Sequence, residues 1–234
     1  MQDILKIIQG RHSVRMPFDP ERPIARQDLE KILEAGRWAP TAHNMQNFEI
    51  VIVDDKKILE EIAAIKSGIS EVFIQENYQQ LSFSEEELRH KKVGVLATMF
   101  PPSWRTPGVK PVMEDGRSRP FPVCPTLLIV LYDPSKRAPA SEGDFLGIIS
   151  LGCMMENLWL MANSLGIDFQ IISALASGPV EKEVRRILAV PQHLKIAFTV
   201  RLGYSASAPS DYLRVRRDIE DFSHHNQFGH KGFD

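Results

Sequence analysis

Apolar residues recur at helical spacing in three places early in the chain. Ile4, Leu5, Ile7 and Ile8 share one face of a helix over residues 2–9, with Gly10 as its stop. Leu29, Ile32, Leu33 and Ala35 predict a second helix from Asp28 to Trp38, ended by Pro40. A third follows over about 56–66. Before it, Phe48–Val53 is short, rich in β-branched residues and bounded by Asp54-Asp55, which predicts a strand. Thr126–Tyr132, TLLIVLY, is a near-continuous apolar run suited to a central strand buried on both faces. Asp144–Leu165 is the longest helix, apolar on nearly every side. Phe169–Ile172 and Lys195–Leu202 complete the strands, with a helix over 180–189 between them whose first turn carries Glu181 and Glu183. Two polar helical stretches fit near 70–80 and 84–92. After them the prolines at 101, 102, 107, 111, 120, 122 and 125 disfavour regular structure, because each fixes φ and removes a donor.

This mixture predicts an α+β fold of sheet and helices in layers, without a strict βα alternation. The 234 residues suit a single domain, 1–234, with an insertion at about 67–123 and a C-terminal arm at about 205–234. An all-round apolar helix needs cover on every side, so an obligate homodimer built around Asp144–Leu165 is expected. The stretch Phe145–Met155 is too short to span a bilayer and reads as a buried helix.

Composition narrows the function. With 28 Lys+Arg against 30 Asp+Glu the formal charge is −2, which argues against a nucleic-acid footprint. Two cysteines and no zinc spacing argue for a reducing compartment and against a disulfide framework or metal site. No signal segment precedes the first helix, so the expected location is cytoplasmic, with neither nucleic acid nor membrane as partner. No GxGxxG follows a strand and no GxSxG elbow occurs, so neither a Rossmann site nor a hydrolase triad is expected.

Three clusters carry candidate chemistry. Arg11-His12-Ser13-Val14-Arg15 places two guanidinium groups around a hydroxyl, a set suited to a phosphate or a ring of electronegative acceptors, or equally to a solvated basic turn. Pro40-Thr41-Ala42-His43-Asn44-Met45-Gln46 offers carboxamides that can read a heteroaromatic edge, or simple turn chemistry. Arg214, Arg216 and Arg217 form a late basic cluster that fits an anion or a solvated face.

Taken in order, these segments resemble the nitroreductase family of flavin oxidoreductases. The resemblance lies in RHSVR, in APTAHNMQNF, in Leu165-Gly166-Ile167-Asp168, in Leu202-Gly203-Tyr204, and in Arg214-Val215-Arg216 followed by Ile219-Glu220-Asp221 and His224. It implies a three-layer fold with a mainly antiparallel sheet, an intertwined homodimer, and two FMN sites at the subunit interface. Arg11, His12, Ser13 and Arg15 would line the ribityl phosphate and the N1–C2 side of the ring, and Arg214 or, better, Arg216 would complete the phosphate clamp. Pro40, Thr41, Ala42 and Asn44 would come from the other subunit with Gln46 nearby, and Ser173-Ala174 would lie at flavin N5. The implied activity is ping-pong transfer of hydride from NAD(P)H to a small molecule such as a nitroaromatic, quinone or enone, with 67–123 as substrate lid and no protein catalytic group. Reductive dehalogenation, flavin fragmentation or non-catalytic flavin binding are the alternatives on the same scaffold. Asn47-Phe48 stands where the family commonly has Pro-Trp, which predicts a less rigid loop exit.

Overall fold

A computed structural model describes residues 4–14, 18–65, 86, 90, 124–139, 141, 143–176, 178–205 and 215–231. The chain forms two compact units, one of residues 1–68 and 117–209, the other of 69–116 and 210–234. In the first, the elements run α1 (Ile4–Gly10), α2 (Arg26–Arg37), β1 (Glu49–Val53), α3 (Lys56–Ala63), β2 (Thr126–Tyr132), α4 (Phe145–Ser164), β3 (Asp168–Ile172), α5 (Gly178–Ile187) and β4 (Lys195–Gly203). The second contributes α6 (Ile219–Phe222). The stretches expected near 70–80 and 84–92 and the proline-rich run fall outside the described residues, save Glu86 and His90, which are helical.

The four strands make one antiparallel sheet in the order β1-β2-β4-β3. Because side chains alternate along β2, Leu127, Ile129 and Leu131 enter one apolar layer with Ile62 of α3 and Val180 and Val184 of α5. Leu128 and Val130 enter the opposite layer with Ile32 of α2 and Met154, Leu158 and Ala162 of α4. Burial on both faces is why the middle of TLLIVLY, from Leu127 to Leu131, carries no polar position: Leu127 to Val130 are completely buried. A β-bulge in β4 opposite Val130/Leu131 reverses its parity, so Ile196 joins the first layer while Val200 and Leu202 join the second.

Local chemistry sets the ends of the elements. Asp55 caps α3 by accepting from Lys57 N and Ile58 N at 2.9 and 3.0 Å. Gly166, at φ +68, terminates α4, and Ile167 N donates back to Ala162 O at 2.9 Å. Gly36 lets α2 approach α4, since a Cβ there would meet Leu158 Cδ2 at 2.7 Å. α4 is long and apolar enough to cross a membrane, longer than the Phe145–Met155 stretch suggests. It instead packs on the sheet through Met154, Leu158, Trp159 and Ala162.

The helix is nevertheless not covered on every side. Phe145, Ile148 and Ile149 are 67%, 62% and 44% exposed, and Gly152 is exposed as well. Positions 145, 149, 152, 156, 159 and 163 follow one another at spacings of four and three, which puts them on a single stripe.

Candidate ligand site

The backbone of α1 and of the segment after it is held by two elements. Asn163 of α4 donates to Ile7 O at 3.3 Å, and Trp159 Nε1 donates to His12 O at 3.3 Å. Val14 N then donates to Phe169 O of β3 at 3.1 Å, and the Val14 side chain is buried. Beneath it, Arg201 of β4, itself fully buried, donates from Nη2 to Val14 O at 3.4 Å and from Nε to Gln170 Oε1 at 2.6 Å. Its guanidinium lies 4.1 Å over the Phe18 ring. Burial lowers the pKa of Arg201 to about 10, partly offset by Cys124 and Asp168; the neighbouring Cys124 thiol is pushed by burial up to about 12.

On this platform Arg11 is oriented from two sides. Its Nε lies 3.0 Å from Glu156 Oε1, and its guanidinium carbon lies 4.4 Å over the Trp159 ring. Trp159 in turn stacks on Phe169 at 4.9 Å and 13°. Ser13 is part-exposed, and the His12 ring turns back to Gly10 O through Nδ1 at 3.1 Å. Arg15 lies outside the described residues.

The second cluster leaves α2 through Ala39 and the exposed Pro40. A 3₁₀ turn spans Ala42–Asn44, and three residues adopt the left-handed region: His43 at φ 51, Asn44 at 53 and Gln46 at 46. Asn tolerates that region, whereas His and Gln adopt it at a cost of about 1 kcal/mol or more each. Three bonds hold the conformation: Gln46 N to Thr41 Oγ1 at 3.2 Å, Gln46 Nε2 to Asn44 Oδ1 at 3.1 Å, and Ala42 N to Ser150 Oγ at 3.0 Å. Thr41, Ala42 and Met45 line a shallow, mainly apolar depression with Lys136, Gly147 and Ser150.

The expectation of a loose exit is corrected here. Asn47 donates through Nδ2 to Asp133 O at 2.9 Å and Lys136 O at 3.3 Å, and its Oδ1 accepts from Asp133 N at 3.1 Å. The carboxamide thus ties the loop exit to the end of β2 and the turn after it.

Ser173 follows β3 as an exposed residue, and Ala174 opens a 3₁₀ turn in which Ala176 N donates to Ser173 O at 3.0 Å. Arg214 lies outside the described residues. Arg216, in the second unit, is exposed and donates from Nη1 to Val215 O at 2.7 Å.

α4 also determines which clusters can meet. At about 100° per residue, Glu156, Trp159 and Asn163 lie about 120–180° around the helix from Ser150. The Arg11 segment and the Thr41–Gln46 loop therefore dock on well-separated faces of α4, with the helix body, about 10 Å across, between them. The Arg11 segment continues the stripe begun by Phe145, Ile149 and Gly152.

The pattern of motifs did not reveal Glu156, Trp159 or Arg201. A signal existed for the first: Glu156 is the one charged residue in the sequence of α4. Arg201 was also visible as a cation between the apolar Val200 and Leu202 of β4.

The sequence profile of the nitroreductase family matches residues 8–204. The chain is 22% identical over 227 residues to an NADPH-dependent oxidoreductase of Staphylococcus aureus, covering 97% of this chain and 74% of that protein. A nitroreductase with bound FMN from Bacteroides fragilis superposes with a TM-score of 0.60 at 24% identity, over 94% of this chain and 97% of the other. A nitroreductase with bound FMN from Desulfitobacterium hafniense gives 0.59 at 23% identity, over 97% and 100%.

Proposed function

The chain belongs to the nitroreductase family, and from that premise we propose that it is an FMN-dependent oxidoreductase. It takes hydride from NAD(P)H and passes it to a small acceptor such as a nitroaromatic, quinone or enone, the two substrates using one face in turn. The observation that carries this reading is the Arg11–Ser13 segment. Its guanidinium is oriented by Glu156 and Trp159, and its backbone is tied to α4 and β3.

That donor set fits a phosphate monoester. Arg11 supplies a forked cation, Ser13 a hydroxyl two residues on, and the fixed backbone removes much of the ordering cost of binding. Arg15 would complete the clamp on this side of the ligand. Asn44 and Gln46 supply carboxamides with both donor and acceptor groups, which suits the edge of an isoalloxazine. The exposed Ser173 turn offers backbone donors to the ring. When bound, FMN supplies the two-electron hydride chemistry that no side chain offers. The protein's part is to hold a cation near the ring's electron-rich edge, to exclude water and to orient the two substrates.

The separated docking faces on α4 favour a shared site. In one protomer the helix body stands between the Arg11 segment and the Thr41–Gln46 loop, so a ligand touching both draws on two copies. The exposed stripe of Phe145, Ile148, Ile149 and Gly152 has the four-and-three spacing for packing against a second α4, and we assign it to a homodimer.

The test is a visible spectrum of the purified protein, followed by anaerobic addition of NADH and NADPH separately. The expected result is a flavin spectrum bleached by at least one of them, from a particle of two chains by light scattering. Protein that stays colourless after reconstitution with FMN overturns the cofactor assignment, and a stable single-chain particle overturns the dimer.

A further inference from the structure

Glu156 sits where the uncovered part of the α4 stripe gives way to the part covered by the Arg11 segment. It is the sole charge in the sequence of that helix, and its carboxylate is 3.0 Å from Arg11 Nε. Neither side chain is deeply buried, at 23% and 37% exposure for Arg11 and Glu156. A guanidinium has five N–H donors, so it can meet a carboxylate and a second anion at once. That second anion would then share Arg11 with a fixed negative charge.

We infer that Glu156 is a specificity-determining residue of the anion site: its charge opposes the ligand's phosphate, and so sets how strongly the site prefers a phosphorylated flavin over a neutral one. The inference rests on the proposed phosphate role of Arg11. Two effects of Glu156 compete. By pairing with Nε it orients Arg11, which favours any ligand on that cation. By its charge it repels a phosphate dianion, which acts on FMN and not on riboflavin.

The stack on Trp159 at 4.4 Å orients Arg11 independently of the charge at position 156. The charge effect therefore outweighs the positioning effect. Solvent and salt screen a half-exposed pair, which keeps the effect moderate.

The experiment is fluorescence titration of the full chain with FMN and, separately, with riboflavin, for the wild-type protein and for Glu156→Gln and Glu156→Ala. In Glu156→Gln the ratio of FMN to riboflavin affinity should rise about tenfold, equivalent to about 1.4 kcal/mol. Glu156→Ala should raise the same ratio even where lost orientation weakens both ligands. A ratio that is unchanged or lower in both variants, with wild-type protein binding FMN, overturns this inference alone. Wild-type protein that binds neither flavin overturns the phosphate reading and this inference with it.

Discussion

Residues 11–14 and residues 41–46 both lean on α4, yet the physics that holds them is different. The first segment is set by its surroundings. Its backbone bonds to Trp159 and Phe169, its cation stacks on an indole, and a buried arginine lies beneath it. The second is set by itself. Two of its side-chain bonds run within the loop, and three of its residues hold left-handed backbone. A segment held from outside can present a charge at a fixed place, whereas one held by its own strain presents backbone and carboxamide groups in a fixed shape. One arrangement suits an anion and the other suits the edge of a ring.

The largest expected effect tests that division directly. Arg11→Ala removes charge-assisted bonds, each worth about 1.5–3 kcal/mol, so FMN affinity should fall at least about a hundredfold. Asn44→Ala removes neutral bonds of about 0.5–1.5 kcal/mol each and should cost about tenfold or less. Flavin fluorescence titration of the two variants measures both. If Asn44→Ala weakens binding more than Arg11→Ala, the assignment of charge to one segment and shape to the other is reversed.

The two segments also differed in how far sequence pattern could reveal them. Pattern alone located both, because α1 ends at Gly10 and α2 ends before Pro40, and the residues beyond each stop are polar. It found every described strand to within a residue or so, since β2 must be apolar on both faces and short β-branched runs have few alternatives. What pattern could not supply was pairing across the chain. Glu156 and Trp159 are 145 and 148 positions beyond Arg11, and nothing periodic links them. Asn47 misled for a related reason. Replacing a proline suggests slack when only the loop is considered, and the compensating bonds reach Asp133 and Lys136. The left-handed residues were equally hidden, because the sequence contains no glycine between Trp38 and Phe48 to announce them.

A second, smaller effect probes the floor under the Arg11 segment. Cys124 has its thiol raised from 9.0 to about 12, chiefly by burial, beside Arg201. A raised acid keeps its proton in the folded state while the unfolded chain has lost it. Its contribution is therefore intact below pH 9 and is lost as pH climbs from 9 towards 12. Between pH 8 and pH 10 the wild-type protein should lose about 1.4 kcal/mol more than Cys124→Ala, by urea denaturation at each pH. Arg201 titrates in the opposite sense, since a base with its pKa lowered to about 10 adds stability as pH rises beyond that value. Equal pH slopes in the two proteins would mean that water reaches the thiol, and that the segment rests on a looser base than its bonds imply.

The smallest effect concerns the loop alone. Gln46 sits at φ 46, where a side chain costs energy and glycine does not. Gln46→Gly removes that cost, but it also frees the unfolded chain and deletes the Nε2 bond to Asn44 Oδ1. The backbone bond from residue 46 N to Thr41 Oγ1 survives the change. The gain and the losses are close in size, so stability should rise by no more than about 0.5 kcal/mol. Flavin affinity should drop, because Asn44 loses the neighbour that fixes its amide. Urea midpoints and flavin titration on the same preparation separate the two responses. Lower stability together with unchanged affinity would show that the side-chain bonds sustain the loop, and that its left-handed backbone is a consequence of them and not the feature a ligand uses.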